Sequence, residues 1–309
     1  MYAGKYVATQ PDQPCLIMAA TGEVITYGEF EGRANQLAHL LLEHGLKPLD
    51  HYCVFMENNV RYLETCAAGE RAGLYYTCIN SYLTADEMAF IVNDSESKVL
   101  ITSAARREVA IEAIKQCPNV SLHLIVDGDA NDEIFVDYAE AIANYPAAPI
   151  DKERLGTAML YSSGTTGRPK GILRPLADTS PSENLPIFKF LNGIWQYREE
   201  MIYLSPAPLY HSAPQAATNL TIRMGGTCII MERFDPEQYL ALIEKYHVTH
   251  SQLVPTMFSR MLKLPKATRS RYDLSSLETA IHAAAPCPPQ VKHQMIDWWG
   301  PIVHEYYGA

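Results

Sequence analysis

Apolar positions along this chain recur with two different periods, and the alternation between them predicts the architecture. Between Thr26 and Gly45, the residues Phe30, Ala34, Leu37, Ala38, Leu41 and Leu42 fall on one helical face. Thr26, with Glu29 three residues on, has the form of a capping box; Gly45 stops the helix and Pro48 follows. A short apolar run of strand length, 51–56, comes next. The same grammar predicts helices over 58–72, 84–92 and 104–116, with strands over 74–79, 98–102 and 122–126. It resumes after Arg174, with strands near 201–205, 227–231, 249–254, 279–283 and 302–306. Helices fit near 213–223, 236–246, 255–262 and 288–298. Strands alternating with helices predict parallel α/β sheets.

The pattern falls into two α/β subdomains, one over residues 1–175 and one over 176–309, expected to pack together with mainly parallel sheets. A length of 309 residues agrees with about two domains. Within the first half, 127–140 carries six acids and no base, which reads as a solvated face. Pro146, Pro149 and Asp151 then suggest a surface connector. The run 302–307 reads as a strand without a following helix, so the second subdomain is expected to be incomplete, part of a larger fold.

Composition narrows the function classes. Apolar residues make up 48% and charged residues 19%, a globular balance. The net charge of −10 makes a non-specific nucleic-acid binder a poor reading. It leaves local anion binding open, because a few lysines and backbone N–H groups suffice. The seven cysteines, Cys15, Cys53, Cys66, Cys78, Cys117, Cys228 and Cys287, form no C-x-x-C pair. Most sit in apolar runs such as Tyr52-Cys53-Val54-Phe55, as reduced core residues of a cytosolic protein do. No Cys/His pair has zinc-ligand spacing. The first thirteen residues hold no apolar signal-peptide core, and no apolar run approaches 18 residues, so the expected location is the cytoplasm.

The strongest local signal is Tyr161-Ser162-Ser163-Gly164-Thr165-Thr166-Gly167-Arg168-Pro169-Lys170-Gly171, directly after an apolar strand over 157–160. Glycines let successive backbone N–H groups converge on one anion, hydroxyls add donors, and Lys170 adds a point charge. A triphosphate needs that combination. The P-loop of nucleotide triphosphatases does not fit: it requires four residues between its first Gly and Gly-Lys-Ser/Thr. Here two residues separate Gly164 from Gly167, and Lys170 does not follow Gly167 directly.

These eleven residues resemble the phosphate-loop signature of the adenylate-forming superfamily, which contains acyl-CoA ligases, luciferases and the adenylation domains of peptide synthetases. Within it the chain looks like an acyl-CoA ligase, and the resemblance covers essentially the whole sequence. Thr26-Tyr27 through Asn35-Gln36-Leu37-Ala38 resembles the superfamily's opening helix, and Ala72-Gly73, Asn80 and Glu87 its usual continuation. Pro208-Leu209-Tyr210-His211 resembles an aromatic-plus-His motif; Phe234-Asp235-Pro236 and Val254-Pro255-Thr256 are also similar. Ala284-Ala285-Pro286 resembles the adenine-side loop, and Glu305-Tyr306-Tyr307-Gly308-Ala309 the start of a motif that ends in Thr-Glu.

The resemblance implies an ATP-dependent acid–CoA ligase. A carboxylate attacks the α-phosphorus of ATP to give acyl-AMP and pyrophosphate, and the thiol of coenzyme A then displaces AMP. ATP, Mg²⁺ and coenzyme A are the implied cofactors and substrates, with the nucleotide at the junction of the two subdomains. By carry-over, Ser162, Ser163, Gly164, Thr165, Thr166, Gly167 and Lys170 cradle the phosphates. Lys170, Thr166 and His211 are the candidate catalytic residues, and Thr166 is the candidate Mg²⁺ contact. Tyr307 would stack on adenine, with Gly308 and the Ala284, Ala285 and Pro286 backbone along its edge. His211 would position or gate, since a carboxylate nucleophile needs no deprotonation at neutral pH. His211, Gln215, Ala216, Asn219, Gly225 and Gly226 would wall the acid pocket. Their small, uncharged side chains point to a fatty acid or another bulky hydrophobic acid.

Two departures from the family pattern stand beside the adenine loop. His282 is where Ser or Thr is usual, and Ala283 where Gly is usual; His282 reads as structural. The stretch Arg260, Lys263, Lys266, Arg269 and Arg271 carries no acid between its ends and reads as a solvated loop. Rival readings are a peptide-synthetase adenylation domain and a non-catalytic nucleotide-binding protein. The absence of Asp or Glu from His211 to Met231 disfavours an amino-group site. In the resembled ligases the Thr-Glu, a ribose-binding Asp, a hinge Arg and a lid-domain Lys come later than Ala309. Residues 1–309 alone are therefore expected to be catalytically impaired and prone to self-association.

Overall fold

In the computed structural model, which describes residues 1–129, 132–162, 168–183 and 186–307, the opening helix spans Tyr27–Glu43. Thr26 Oγ1 accepts from the Glu29 N–H at 3.2 Å, and Glu29 Oε2 accepts from the Thr26 N–H at 2.9 Å. The capping box read from the sequence is thus complete. A second box, Thr84 with Glu87, starts the Ala85–Asp94 helix in the same way. The helix expected over 58–72 begins only at Tyr62. Asn59 explains the delay: its Oδ1 accepts from the Arg61 N–H at 2.9 Å, holding the preceding residues in a turn. That helix ends at Gly73, whose φ of 68° lies in the left-handed region glycine tolerates.

The described residues form two compact units that interleave along the chain instead of dividing at one point. The first gathers Met1–Gln13, Thr26–Leu185 and Leu209–Ser212; the second gathers Pro14–Ile25, Pro186–Pro208 and Ala213–Ala309.

In the first unit, six strands lie in the order Val136–Asp137, Leu122–Val126, Ser97–Ser103, His51–Phe55, Tyr75–Cys78 and Thr157–Ala158, each parallel to its neighbours. Cys53, Phe55 and Leu100 of this sheet pack against Met88, Ile91 and Val92 of one helix and Ala110 and Ala113 of another. Across Tyr27–Glu43 and Tyr62–Ala72 runs a buried ion pair. Arg71 Nε donates to Glu31 Oε1 at 3.1 Å, Nη2 donates to Glu31 Oε2, and Nη1 donates to the Ala67 carbonyl at 2.7 Å. The connector near Pro146 is tied to the opening helix by Asn35, Gln36 and His39, which bond the carbonyls of Ala147, Tyr145 and Ala148. Two acids of the acidic stretch have structural partners. Asp132 accepts from Arg107 and from the N–H groups of Ile134 and Phe135, and Asp137 caps the Tyr138–Ala143 helix.

In the second unit the strand order is Val303–Glu305, Thr279–His282, His250–Leu253, Ile202–Ser205, Thr227–Ile230, Pro14–Met18 and Val24–Thr26. The pairs from Val303–Glu305 to Pro14–Met18 are parallel. Its core joins Leu204, Ile229 and Ala280 of the sheet to Tyr239, Ile243, Phe258 and Met295 of the helices. No helix among the described residues is long and apolar enough to cross a membrane. All seven cysteines are reduced.

Candidate functional site

The glycine-rich segment is flanked in the first unit by two short antiparallel strands. The strand Leu160–Ser162 pairs with Lys170–Ile172, and Ser162 lies directly opposite Lys170. Ser163, Gly164, Thr165, Thr166 and Gly167 lie outside the described residues. The ends of the segment are fixed by one helix, Ala85–Asp94. Tyr161 donates its hydroxyl to Asp94 Oδ2 at 2.6 Å, and the Arg168 guanidinium lies over the Phe90 ring at 5.3 Å. Burial, then the Asp94 charge, pushes the Tyr161 phenol well above its ordinary range, so it remains a donor. Arg168 is thereby engaged, whereas Lys170 is exposed and makes no ion pair with any described residue. An exposed ammonium next in sequence to a run of glycines and hydroxyl residues suits a polyanion.

Tyr210 and His211 also belong to the first unit, with ring centroids 4.4 Å apart. The backbone before them is held by Asn58, whose Oδ1 accepts from the Leu209 N–H at 2.8 Å. Sequence reading missed Asn58; its only signal was an amide side chain at the end of an apolar strand. Surrounding protein lowers the His211 pKa below its ordinary value, so the ring is neutral at pH 7. A neutral ring fits a positioning role.

In the second unit the sheet brings the adenine-side candidates together. Thr279–His282 and Val303–Glu305 are parallel neighbours with His282 opposite Glu305, so the segments following them leave the same sheet edge. Ala284, Ala285 and Pro286 are exposed there, and Tyr307 is 94% exposed. Gly308 lies outside the described residues. Tyr306 is anchored instead: its hydroxyl accepts from Gln252 Nε2 at 2.7 Å and its ring lies 5.3 Å from that of Trp195. One position after Ala283, which stands where the resembled family usually has Gly, the left-handed residue of this loop is Ala284, with φ of 73°. An L-residue there costs roughly 1–2 kcal/mol, against about 0.5–1 kcal/mol for the extra chain entropy of glycine. Ala284→Gly is therefore expected to raise stability by about 0.5–1 kcal/mol in urea unfolding; a loss of stability would contradict this backbone.

His282 is fully buried, edge-on to Phe258 at 5.4 Å, with Nδ1 3.9 Å from Glu305 Oε1. Burial lowers its pKa, which makes it a neutral packing residue. Three cations of the basic stretch are engaged: Arg260 lies over Phe234, Arg269 over Trp298, and Arg271 pairs with Glu237.

The acid-pocket candidates separate into two places. The helix Ser212–Arg223 carries Gln215 and Asn219, both buried, and Ala216, which is exposed. Asn219 Oδ1 accepts from Arg223 Nε at 2.9 Å. Gln215 Nε2 is buried with no hydrogen-bond partner among the described residues. Twelve residues of helix span about 18 Å. Gly225 and Gly226 follow at its far end and enter the strand Thr227–Ile230. That is the N-terminal edge of the sheet, opposite the edge of Ala284–Pro286. A Cβ on Gly226 would come within 2.6 Å of Met201, so Gly226 permits close backbone packing. Gly225 and Gly226 thus stand at the end of the helix remote from Gln215.

A family model described as "AMP-binding enzyme" matches residues 5–309. A 4-coumarate–CoA ligase, CCL1, from Humulus lupulus is 28% identical over 290 residues, which cover 92% of this chain and 52% of that protein. A medium/long-chain-fatty-acid–CoA ligase, FadD8, from Mycobacterium tuberculosis is 27% identical over 260 residues, covering 81% of this chain and 44% of that protein. Among solved structures, ATP-bound MatB from Rhodopseudomonas palustris matches with a TM-score of 0.79 at 26% identity, covering 100% of this chain and 60% of that chain. The chain spans about half the length of the curated relatives it matches.

Proposed function

The chain belongs to the AMP-binding enzyme family, and on that premise we propose that the whole protein is an ATP-dependent ligase joining a hydrophobic carboxylic acid to coenzyme A. The observation that carries the reading is the strand pairing that sets Ser162 opposite an exposed Lys170, which makes no ion pair among the described residues. The acid's carboxylate attacks the α-phosphorus, pyrophosphate leaves, and the coenzyme A thiol then displaces AMP to form the thioester. Bringing a carboxylate to a triphosphate concentrates negative charge, and Lys170 with the glycine-rich segment's N–H and hydroxyl donors offsets it. A bound magnesium ion would help offset the charge of the triphosphate. Among the described residues no group of three His, Cys, Asp or Glu could hold a metal by itself. Thr166 remains the candidate protein contact.

Tyr307, exposed beside the Ala284–Pro286 loop, offers an open ring face for adenine. On the acid side, Gln215 Nε2 is a buried donor that a ligand oxygen would satisfy. The rest of that helix is uncharged up to Arg223, which favours an apolar acid. The named relatives act on 4-coumarate and on medium- to long-chain fatty acids, both largely apolar. Pyrophosphate release by the whole protein with ATP and Mg²⁺ tests the reading. An aryl acid or octanoate is expected to exceed acetate and free amino acids, since each buried methylene contributes about 0.8 kcal/mol. Preference for acetate or an amino acid would overturn the hydrophobic-acid reading, and no release with any acid would overturn the ligase itself.

A further inference from the structure

Two thiols meet in the first unit at a place the ligase reading does not use. Cys66 lies in the helix Tyr62–Ala72, and Cys78 ends the strand Tyr75–Cys78. Their sulfurs are 3.6 Å apart although the residues are twelve positions apart in sequence. That is van der Waals contact between sulfurs, about 1.5 Å longer than a disulfide bond of about 2.05 Å, so small side-chain rotations would close the gap. Cys66 is fully buried and Cys78 is half-buried, so a reagent reaches the pair through Cys78. Cys15, Cys53, Cys117 and Cys228 are buried and Cys287 is half-buried. Cys53, Cys117 and Cys228 direct their sulfurs to backbone carbonyls.

We propose that Cys66 and Cys78 form a reversible dithiol/disulfide site. With oxidised glutathione as oxidant the step balances. The Cys78 thiolate attacks one glutathione sulfur, the glutathione S–S bond breaks, and one glutathione thiolate leaves and takes up a proton. Cys66 then loses its proton and attacks Cys78 Sγ in the mixed disulfide. The Cys66–Cys78 bond forms and the second glutathione leaves; the protein has lost two electrons and two protons, and glutathione has gained them. Burial holds the Cys66 thiol well above its ordinary range. The second step is therefore the slow one, and the site responds to sustained oxidation. The chemistry of the pair does not depend on the ligase reading.

The test is to incubate the folded whole protein with oxidised glutathione for hours at pH 8, quench with acid, block the remaining thiols with iodoacetamide in denaturing urea, digest without reductant and map disulfides by mass spectrometry. The expected result is a Cys66–Cys78 cross-linked peptide pair that dithiothreitol releases, with circular dichroism unchanged. Cys66→Ala is expected to trap glutathione on Cys78, and Cys78→Ala to leave Cys66 unmodified. A stable glutathione adduct on Cys78 of the unsubstituted protein, with Cys66 still alkylated by iodoacetamide, would overturn the proposal. So would recovery of both thiols unmodified. The map on the unsubstituted protein decides the matter even where a variant fails to fold.

Discussion

Lys170→Ala in the whole protein is expected to slow acyl-adenylate formation by two to three orders of magnitude. Lys170 opens its strand directly opposite Ser162, so the register fixes its Cα beside the residue that enters the glycine-rich segment. Its neighbour Arg168 is engaged over Phe90, and Lys170 is exposed with no ion pair to a described residue. Removing one preorganised group that stabilises developing charge costs about 2.7–4 kcal/mol. Because the side chain is exposed, the folded state loses little, and the melting temperature is expected to stay put. Lys170→Arg keeps the charge but replaces a compact ammonium with a planar fork, so partial recovery is expected. Single-turnover formation of the acyl-adenylate is the measurement. A rate unchanged in Lys170→Ala would remove Lys170 from the phosphate role and leave the segment's backbone donors as its whole content.

How far the sequence carried this structure depended on how local each signal was. Capped helices were legible because Thr26 and Glu29 meet within one turn, and Pro236 and Pro255 mark helix starts by their fixed φ. The strand Pro14–Met18 was missed because it is five residues long and its parallel partner lies near the other end of the chain, Leu16 opposite Cys228. The helix Pro186–Trp195 was missed for a different reason. It exposes Ile187, Phe190 and Ile194, so its apolar positions do not mark an inward face. For the site, the chemistry-bearing residues were readable by type and order, but their spatial grouping was not. Gly225 and Gly226 follow the Gln215 helix closely in sequence, yet that helix carries them to the opposite sheet edge. Ala284 shows the limit in backbone terms: nothing in an Ala-Ala-Ala run tells which residue turns left-handed. The Cys66–Cys78 contact likewise depends on a helix folding back on the next strand, which sequence spacing alone does not give.

Arg71→Met is expected to destabilise the first unit by about 3–5 kcal/mol, the cost of breaking one side of a buried ion pair. Arg71 has no exposed surface and Glu31 is 5% exposed, so neither charge can turn to water when its partner is lost. The guanidinium bonds both Glu31 oxygens and the Ala67 carbonyl, and it also faces Glu70 and Glu153. Its removal therefore leaves Glu31 orphaned and strips a compensating charge from two further carboxylates. Urea unfolding followed by circular dichroism measures the loss. Pairing Arg71→Met with Glu31→Leu removes both charges and fills the space with apolar atoms. Replacing a buried pair is far cheaper than breaking it, so the double variant is expected to recover most of the loss. If Arg71→Met cost less than about 1 kcal/mol, water or another cation would have to reach Glu31, and the pair would not be the buried clamp its geometry describes.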